Sequence, residues 1–277
     1  MTAPTFLVIG AQKCGTTWLE SNLGAHPEVG TPAHKELHFF DKADRFARGK
    51  EWYEEQFPAG SGLRARGEFT PNYFWIPATD EEAAESGQLP DIPQRIRGLY
   101  PDIHLIVILR DPVARAISAY YHQIRAGRIA PGQKFEAVWH RLGIRSMGEY
   151  GRTFRAWLEC FALEQFHIIF HEEAVSGKSL HAIRELYRFI GVRDDFAPSR
   201  IEQVRNPGDS HFLLRLKYRT PLLARLLRKL NPRLGSGWRR FEIPVSERER
   251  SVLREFYRED TKELQHLTGR QVPWSIE

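Results

Sequence analysis

Short runs of apolar residues, each bounded by polar or turn-forming residues, recur along the chain and predict buried β-strands. Five such runs occur, at residues 5–10, 37–40, 66–74, 104–110 and 165–170. The run between His104 and Arg110 is the strongest, with five consecutive apolar residues, and the run at 66–74 is strand-like only as far as Pro71. Runs without polar alternation are typical of parallel strands covered on both faces.

Segments with helical periodicity alternate with these strands. They cover residues 16–24, 111–127, 154–161, 179–192 and 246–268. Asp111 at a cap position and Pro112 in the first turn indicate the start of one helix, and Gly24 ends another. The alternation predicts a three-layer α/β fold with a central, mostly parallel sheet flanked by helices.

The composition fits one domain over residues 1–277, with 42% hydrophobic and 27% charged residues and no Pro/Gly/Ser-rich linker. Two cysteines without metal-ligand spacing favour a reducing compartment. No apolar run reaches the roughly 18 residues of a membrane span, and a strand begins at Thr5, so we expect a cytoplasmic protein without a signal peptide. The formal net charge of +5 gives only weak support for anionic ligands.

A glycine-rich loop from Gly10 to Thr17 (GAQKCGTT) joins the first strand to the first helix. Its glycines have the spacing of a nucleotide phosphate loop, but Thr16 stands where the usual lysine follows the second glycine, and Lys13 lies inside the loop. Helix N-terminal amides, two threonine hydroxyls and a lysine suit an anion, which makes the predicted fold P-loop-like. The alternative is a corner whose glycines serve packing alone.

A second candidate for phosphate binding follows the strongest strand. Arg110 stands at its carboxyl end, where ligands of open α/β sheets bind, and Ser118 lies eight residues on, in the next helix. Alone, such an arginine is more often in a structural ion pair, here with Asp111. Together with the loop, it predicts a ligand with two separate phosphate groups, which a nucleoside triphosphate is not.

Glu36 and His38 are candidates for a general base. In an extended segment, residues two apart share a face, and either side chain could take a proton from an acceptor hydroxyl or amine. The alternative is a solvated, charged loop that leads into an aromatic core strand.

A basic segment precedes the last helix. Residues 210–241 carry nine Lys/Arg and no Asp/Glu, and residues 221–230 place leucines on one helical face with basic residues opposite. A helix docked on the core, a lid over an anionic acceptor and a peripheral contact with acidic lipid all fit this pattern. Arg239 or Arg240 could also complete the second phosphate site.

Several of these stretches occur together in the order and spacing of the sulfotransferases, which use 3′-phosphoadenylyl sulfate (PAPS). They are FLVIGAQKCGTTWLESNLGAHPEV, KELHFFD, GEFTPNYF, LIVILRDPVARAISAYYHQ and MGEYGRTFRAWLECF. The sequence resembles most closely the heparan-sulfate branch, with its N-deacetylase/N-sulfotransferase and 3-O-sulfotransferase domains, and its bacterial relatives. The resemblance covers roughly residues 5–195.

The resemblance implies PAPS as donor, adenosine 3′,5′-bisphosphate (PAP) as product and no metal. The loop would hold the 5′-phosphosulfate, Arg110 and Ser118 the 3′-phosphate, and Tyr150 would shape the nucleotide side of the pocket. Trp18 would be a neighbour of adenine or the loop, or a core residue. The donor-binding candidates are therefore Lys13, Cys14, Gly15, Thr16, Thr17, Trp18, Arg110, Ser118, Tyr150 and Arg239.

For catalysis, the resemblance implies in-line sulfuryl transfer with Glu36 as base and Lys13 neutralising the leaving phosphate oxygen. His38 is the alternative base, because the cytosolic small-molecule branch uses histidine. Phe69 stands where some heparan-type enzymes have a lysine that can contact acceptor or sulfate, and a late cysteine pair of those enzymes is missing here. The first departure leaves the acceptor open, and the second leaves residues 235–241 as only a loose match to the phosphate loop that the cysteine pair encloses.

We expect a carbohydrate, glycolipid or small-molecule acceptor and no nucleic-acid partner. Two rival functions remain at this point: a P-loop kinase that acts on a small molecule, and a non-catalytic module that binds anions or glycans.

Overall fold

The computed structural model describes residues 3–130, 132–174, 179–199, 201 and 245–276. Its sheet has five parallel strands in the order β2-β3-β1-β4-β5. The strands are β1 (Phe6–Gly10), β2 (Val29–Gly30), β3 (Ala65–Phe69), β4 (His104–Leu109) and β5 (Phe166–Phe170). The expected α/β fold with a parallel central sheet is confirmed for the described residues.

Helices lie on both sides of the sheet and form the outer layers. Those described are α1 (Thr16–Leu23), α2 (Ala43–Phe46), α3 (Gly49–Glu54), α4 (Asp80–Ser86), α5 (Ile92–Leu99), α6 (Pro112–Arg125), α7 (Tyr150–Leu158), α8 (His171–Ala174), α9 (Ser179–Phe189) and α10 (Glu247–Thr268). None of these helices is long and apolar enough to cross a bilayer.

The sheet centre determines where a ligand can bind. β1 pairs with β3 on one side and with β4 on the other, and every residue of β1 is buried. Parallel strands end at the same edge of a sheet, so the segments that follow β1 and β4 are neighbours. The glycine-rich loop is anchored there, since the Ala11 N–H donates to the Ile108 carbonyl over 2.8 Å.

The start of α6 follows its sequence signals closely. The Asp111 side chain accepts a hydrogen bond from the Val113 N–H at 2.9 Å, and Pro112 occupies the first helical position. Asp111 therefore serves as an N-cap.

The strand expected at residues 37–40 is wrong. Leu37, Phe39 and Phe40 are buried among aromatic side chains, but the segment is an irregular loop, with φ of +55° at Glu36 and +53° at His38. Its backbone N–H groups donate to buried side chains instead of to a neighbouring strand. The apolar run reflects packing in a core, which a local pattern does not distinguish from strand pairing.

Candidate active site

The glycine-rich loop folds so that the N-terminus of α1 faces the carboxyl edge of the sheet. Lys13 and Gly15 both have positive φ, +70° and +108°, and Gly15 is the N-cap of α1. A glycine suits this left-handed conformation and leaves no side chain over the first amides of the helix. Those amides have no acceptor within the helix, and with the Thr16 and Thr17 hydroxyls they are the hydrogen-bond donors that an anion at this edge would meet.

Lys13 brings a positive charge into surroundings that are already positive. Burial is the main reason that the pKa of Lys13 is lowered to about 8. The charges of Arg125, Arg115 and Arg110 contribute to the same lowering. No ion pair between described residues includes Lys13 or Arg110. An anionic ligand would therefore give Lys13 and Arg110 a negatively charged neighbour.

Arg110 follows β4, beside the loop. The expected alternative of an Arg110–Asp111 ion pair is not found among the described residues, because Asp111 caps α6. The backbone at Arg110 is held by Tyr150, whose O–H donates to the Arg110 carbonyl at 3.0 Å. Ser118 lies two turns into α6 and is half-buried. The fold thus brings the two predicted phosphate positions to adjacent strand ends.

Tyr150 also connects the second position to the loop. Its hydroxyl lies 3.4 Å from the Cys14 Sγ, and both side chains are buried. Burial raises the pKa of Cys14 to about 11, so the thiol is neutral at physiological pH. The buried contact between Cys14 and Tyr150 therefore anchors the loop to α7.

Lys35, which the sequence did not single out, joins the base candidates to the loop. Its Nζ donates to the Thr17 Oγ1 at 3.2 Å and lies 2.7 Å from a carboxylate oxygen of Glu20. The same Nζ is 3.9 Å from the Glu36 Oε1. Glu36 consequently stands beside the N-terminus of α1, with 41% of its side chain exposed to an approaching molecule.

His38 lies between two carboxylates. Its Nδ1 is 2.8 Å from the Asp41 Oδ2, and its Nε2 is 3.7 Å from the Glu36 Oε2. The hydrogen bond to Asp41, and then the nearby Glu36 carboxylate, raise the pKa of His38 to about 9. In turn, the interaction with His38 is the main reason that the pKa of Glu36 is lowered. At neutral pH the pair is therefore an imidazolium beside an ionised carboxylate.

His122 is a further neighbour that the sequence did not indicate. It lies four residues after Ser118, on the same face of α6. Burial, and then the charge of Lys13, lowers the pKa of His122 to about 4, so this imidazole stays neutral.

Comparisons with known proteins agree with this geometry. A family model described as a sulfotransferase domain matches residues 3–206. The chain belongs to the sulfotransferase family. Mouse heparan sulfate glucosamine 3-O-sulfotransferase 6 is 30% identical over 280 residues, which is 98% of this chain and 73% of that protein. Mouse heparan sulfate glucosamine 3-O-sulfotransferase 5 is 27% identical and covers 98% of this chain and 74% of its own length.

A solved sulfotransferase from Alicyclobacillus acidocaldarius has the same fold. The two chains superpose with a TM-score of 0.69 at 24% identity, over 98% of each chain. The expected family and enzyme class are confirmed: the protein is a sulfotransferase.

Trp18 and Arg239 were also expected to contribute to donor binding. Trp18 is buried, and its indole N–H donates to the Ile201 carbonyl at 2.7 Å, so Trp18 ties α1 to the segment after α9. Arg239, with the whole basic segment 210–241, lies outside the described residues.

Proposed function

We propose that this sulfotransferase takes a sulfuryl group from PAPS and transfers it to a hydroxyl or amine of a carbohydrate or glycoconjugate. The observation that carries the proposal is the contact between Lys35 and Thr17, which holds Glu36 next to the phosphate loop. A base candidate beside an anion cradle is the arrangement that group transfer from a phosphosulfate needs.

The donor suits the distribution of charge. PAPS carries two separate anionic groups, and Lys13 and Arg110, at two adjacent strand ends, belong to no ion pair between described residues. Lys13 and the α1 amides would hold the 5′-phosphosulfate, and Arg110 with Ser118 would hold the 3′-phosphate. A kinase would instead bind a nucleoside triphosphate, whose phosphates form one chain, so no separate phosphate would be available to Arg110.

The proposed step is an in-line displacement at sulfur. The acceptor oxygen or nitrogen forms a bond to sulfur while the bond from sulfur to the 5′-phosphate oxygen breaks. Glu36 takes the proton that the acceptor loses. Lys13 and the Thr16 and Thr17 hydroxyls balance the negative charge that develops on the leaving phosphate.

Glu36 is the better candidate for the base. His38 is protonated up to a pKa of about 9 and cannot accept a proton at neutral pH, whereas its charge keeps Glu36 ionised. We assign His38 the role of orienting Glu36, with Asp41 behind it. A low pKa makes Glu36 a weak base in the free enzyme, so full proton transfer would follow formation of the bond to sulfur.

The carbohydrate acceptor is supported by the relatives, which are named for heparan sulfate glucosamine. Glu36 is partly exposed, and a sugar hydroxyl on a large glycan could reach it.

The proposal is tested with Glu36→Gln, which preserves volume and removes the base. We expect turnover to fall by at least about 100-fold, while the Kd of PAP is unchanged. Glu20→Gln is a matched control, because Glu20 shares Lys35 but lies on α1, away from the proposed proton transfer. Near-full activity of Glu36→Gln, combined with loss of activity in His38→Ala, would show that the base is assigned wrongly.

The donor and acceptor need separate assays. Titration with PAP and with ATP–Mg²⁺ should show preference for PAP, and a preference for ATP would favour the kinase. Transfer of labelled sulfate from PAPS to a panel of glycans and small alcohols should label a glycan. Silence over the whole panel would favour a non-catalytic module.

A further inference from the structure

Glu68 is a buried carboxylate that the proposed reaction does not use. It lies on β3, is 2% exposed and is surrounded by aromatic side chains. Its Oε1 accepts hydrogen bonds from the Tyr53 hydroxyl at 2.6 Å and the Tyr73 hydroxyl at 2.8 Å. Its Oε2 accepts from the Thr70 hydroxyl at 2.8 Å and the Leu37 N–H at 3.3 Å. Four donors thus satisfy one buried carboxylate.

These contacts lead directly to the loop that carries the base. The Leu37 N–H that donates to Glu68 belongs to the residue between Glu36 and His38. On the other side of His38, the Phe39 N–H donates to the Tyr73 hydroxyl at 2.8 Å. The backbone is therefore bonded to Glu68 immediately before His38 and, immediately after it, to the Tyr73 hydroxyl that donates to Glu68.

The loop conformation needs such support. Glu36 and His38 both have positive φ, a conformation that costs non-glycine residues energy and persists only where surrounding contacts impose it. The segment belongs to no described strand or helix, so a ladder of backbone hydrogen bonds does not supply those contacts. Glu68 and Tyr73 do.

We propose that Glu68 is a positioning residue, which acts through Leu37 and Tyr73 to fix Glu36 and His38 in their working geometry. This inference rests on the proposed role of Glu36 as the base. Burying a carboxylate in the core costs free energy of desolvation, whereas an apolar side chain of similar volume would fill the same space without that cost. Its retention is explained by the two loop amides that it holds, directly and through Tyr73.

The test is Glu68→Gln. Glutamine has nearly the same volume but one acceptor oxygen, so it cannot accept four hydrogen bonds, and its NH₂ group must face either Leu37 N–H or the tyrosine hydroxyls. We expect kcat to fall by about 10- to 100-fold, the loss typical of a catalytic group displaced by about 1 Å. The Kd of PAP should not change, since the hydrogen bonds of Glu68 to described residues go to Leu37, Tyr53, Thr70 and Tyr73 and not to the phosphate loop.

Two tyrosine variants separate positioning from simple stability. Tyr73→Phe removes the hydroxyl that bonds both Glu68 and the Phe39 N–H. Tyr53→Phe removes a hydroxyl that, among the described residues, bonds Glu68 and no loop amide. Both variants lose a buried hydrogen bond and should lower Tm to a similar extent. Only Tyr73→Phe should lose kcat as Glu68→Gln does.

The pH profile gives a readout that a structural role would not move. Because His38 lowers the pKa of Glu36, loosening the loop should raise that pKa toward its ordinary value. The acid limb of kcat/KM should therefore shift to higher pH in Glu68→Gln and Tyr73→Phe, and not in Tyr53→Phe.

The outcomes are distinguishable. Unchanged kcat and acid limb in Glu68→Gln, or equal kcat losses in Tyr53→Phe and Tyr73→Phe, would overturn the positioning role. If Glu68→Gln does not fold, Tyr73→Phe decides by the same criteria. If Glu36→Gln keeps its turnover, it is the base assignment under the proposed function that fails, whatever the Glu68 variants show.

Discussion

The lowered pKa of Lys13 makes donor binding sensitive to pH in a way that can be calculated. In the free protein, burial and the nearby arginines bring that pKa to about 8. An anion bound beside Lys13 stabilises the charged amine and offsets both burial and the arginine charges, so the pKa of Lys13 in the complex should return to about 10 or above. Above pH 8, binding must then be accompanied by uptake of a proton.

The magnitude follows from linkage. The form of the protein that binds anions has Lys13 protonated. The affinity for PAP is therefore highest below pH 8 and declines as pH rises through that value. At pH 9, about nine-tenths of the free protein carries a neutral Lys13, and the affinity for PAP should be about tenfold lower than at pH 7. The ligand contributes little to this slope, because the second ionisation of a phosphate monoester lies near pH 6.

Isothermal titration calorimetry with PAP at pH 7, 8 and 9 provides the measurement. Two buffers of different ionisation enthalpy at pH 9 should reveal uptake of nearly one proton. Lys13→Arg keeps the charge and does not titrate, so its affinity should be flat across this range. His38 has a pKa of about 9 and also titrates, so His38→Gln is a second control, which should keep the wild-type slope.

The reasoning is refuted if wild-type affinity is flat from pH 7 to 9 with no proton uptake. It is also refuted if Lys13→Arg retains the full slope, because the titrating group would then lie elsewhere.

Three further expectations concern other parts of the chain. Arg110→Ala should weaken PAP binding by about 1.5–3 kcal/mol, the range for hydrogen bonds to a charged group, with a smaller dependence on salt than in the wild type. Because the pKa of His38 is raised in the folded protein, its protonation stabilises the fold fully below about pH 6.5, and this contribution is lost as pH rises through about 9. Denaturant melts should therefore show a larger stability difference between wild type and His38→Gln at pH 6 than at pH 9.5. Gly67→Ala would place a Cβ 2.4 Å from a ring carbon of Phe6 and should cost about 1–3 kcal/mol or prevent folding, whereas Gly98→Ala, with nothing within 4 Å, should not destabilise in the same melts.

The fold could be predicted from the sequence wherever local chemistry and tertiary structure agree. β1 and β4 are buried on both faces, so their sequences are continuous apolar runs. α6 follows Asp111, whose side chain accepts a hydrogen bond from the Val113 N–H in the first turn. The loop at 37–40 could not be predicted in this way. Its apolar residues pack in the core, while its backbone N–H groups bond to Glu68 and Tyr73, about 30 residues later in the chain.

The same distinction applies to the site. The phosphate loop and Arg110 are recognisable because a short segment carries each of them. Lys35 and Asp41 were missed because their importance comes from contacts with other groups, Thr17 and Glu20 for the lysine and His38 for the aspartate. Glu68 stands in the sequence only as the acidic residue of a strand-like run, with nothing to indicate its contacts.

The charges that surround Lys13 and those that surround His38 have opposite signs, and this difference determines how pH should act on the reaction. On the donor side, Lys13 lies among other cations and loses its proton near pH 8 until an anion binds. On the acceptor side, His38 lies between carboxylates and keeps its proton to about pH 9. Since the bound donor raises the pKa of Lys13, titration of Lys13 near pH 8 occurs only in the free enzyme. It should therefore affect kcat/KM for the donor and leave kcat unchanged. The alkaline limb of kcat should then reflect His38, one pH unit higher.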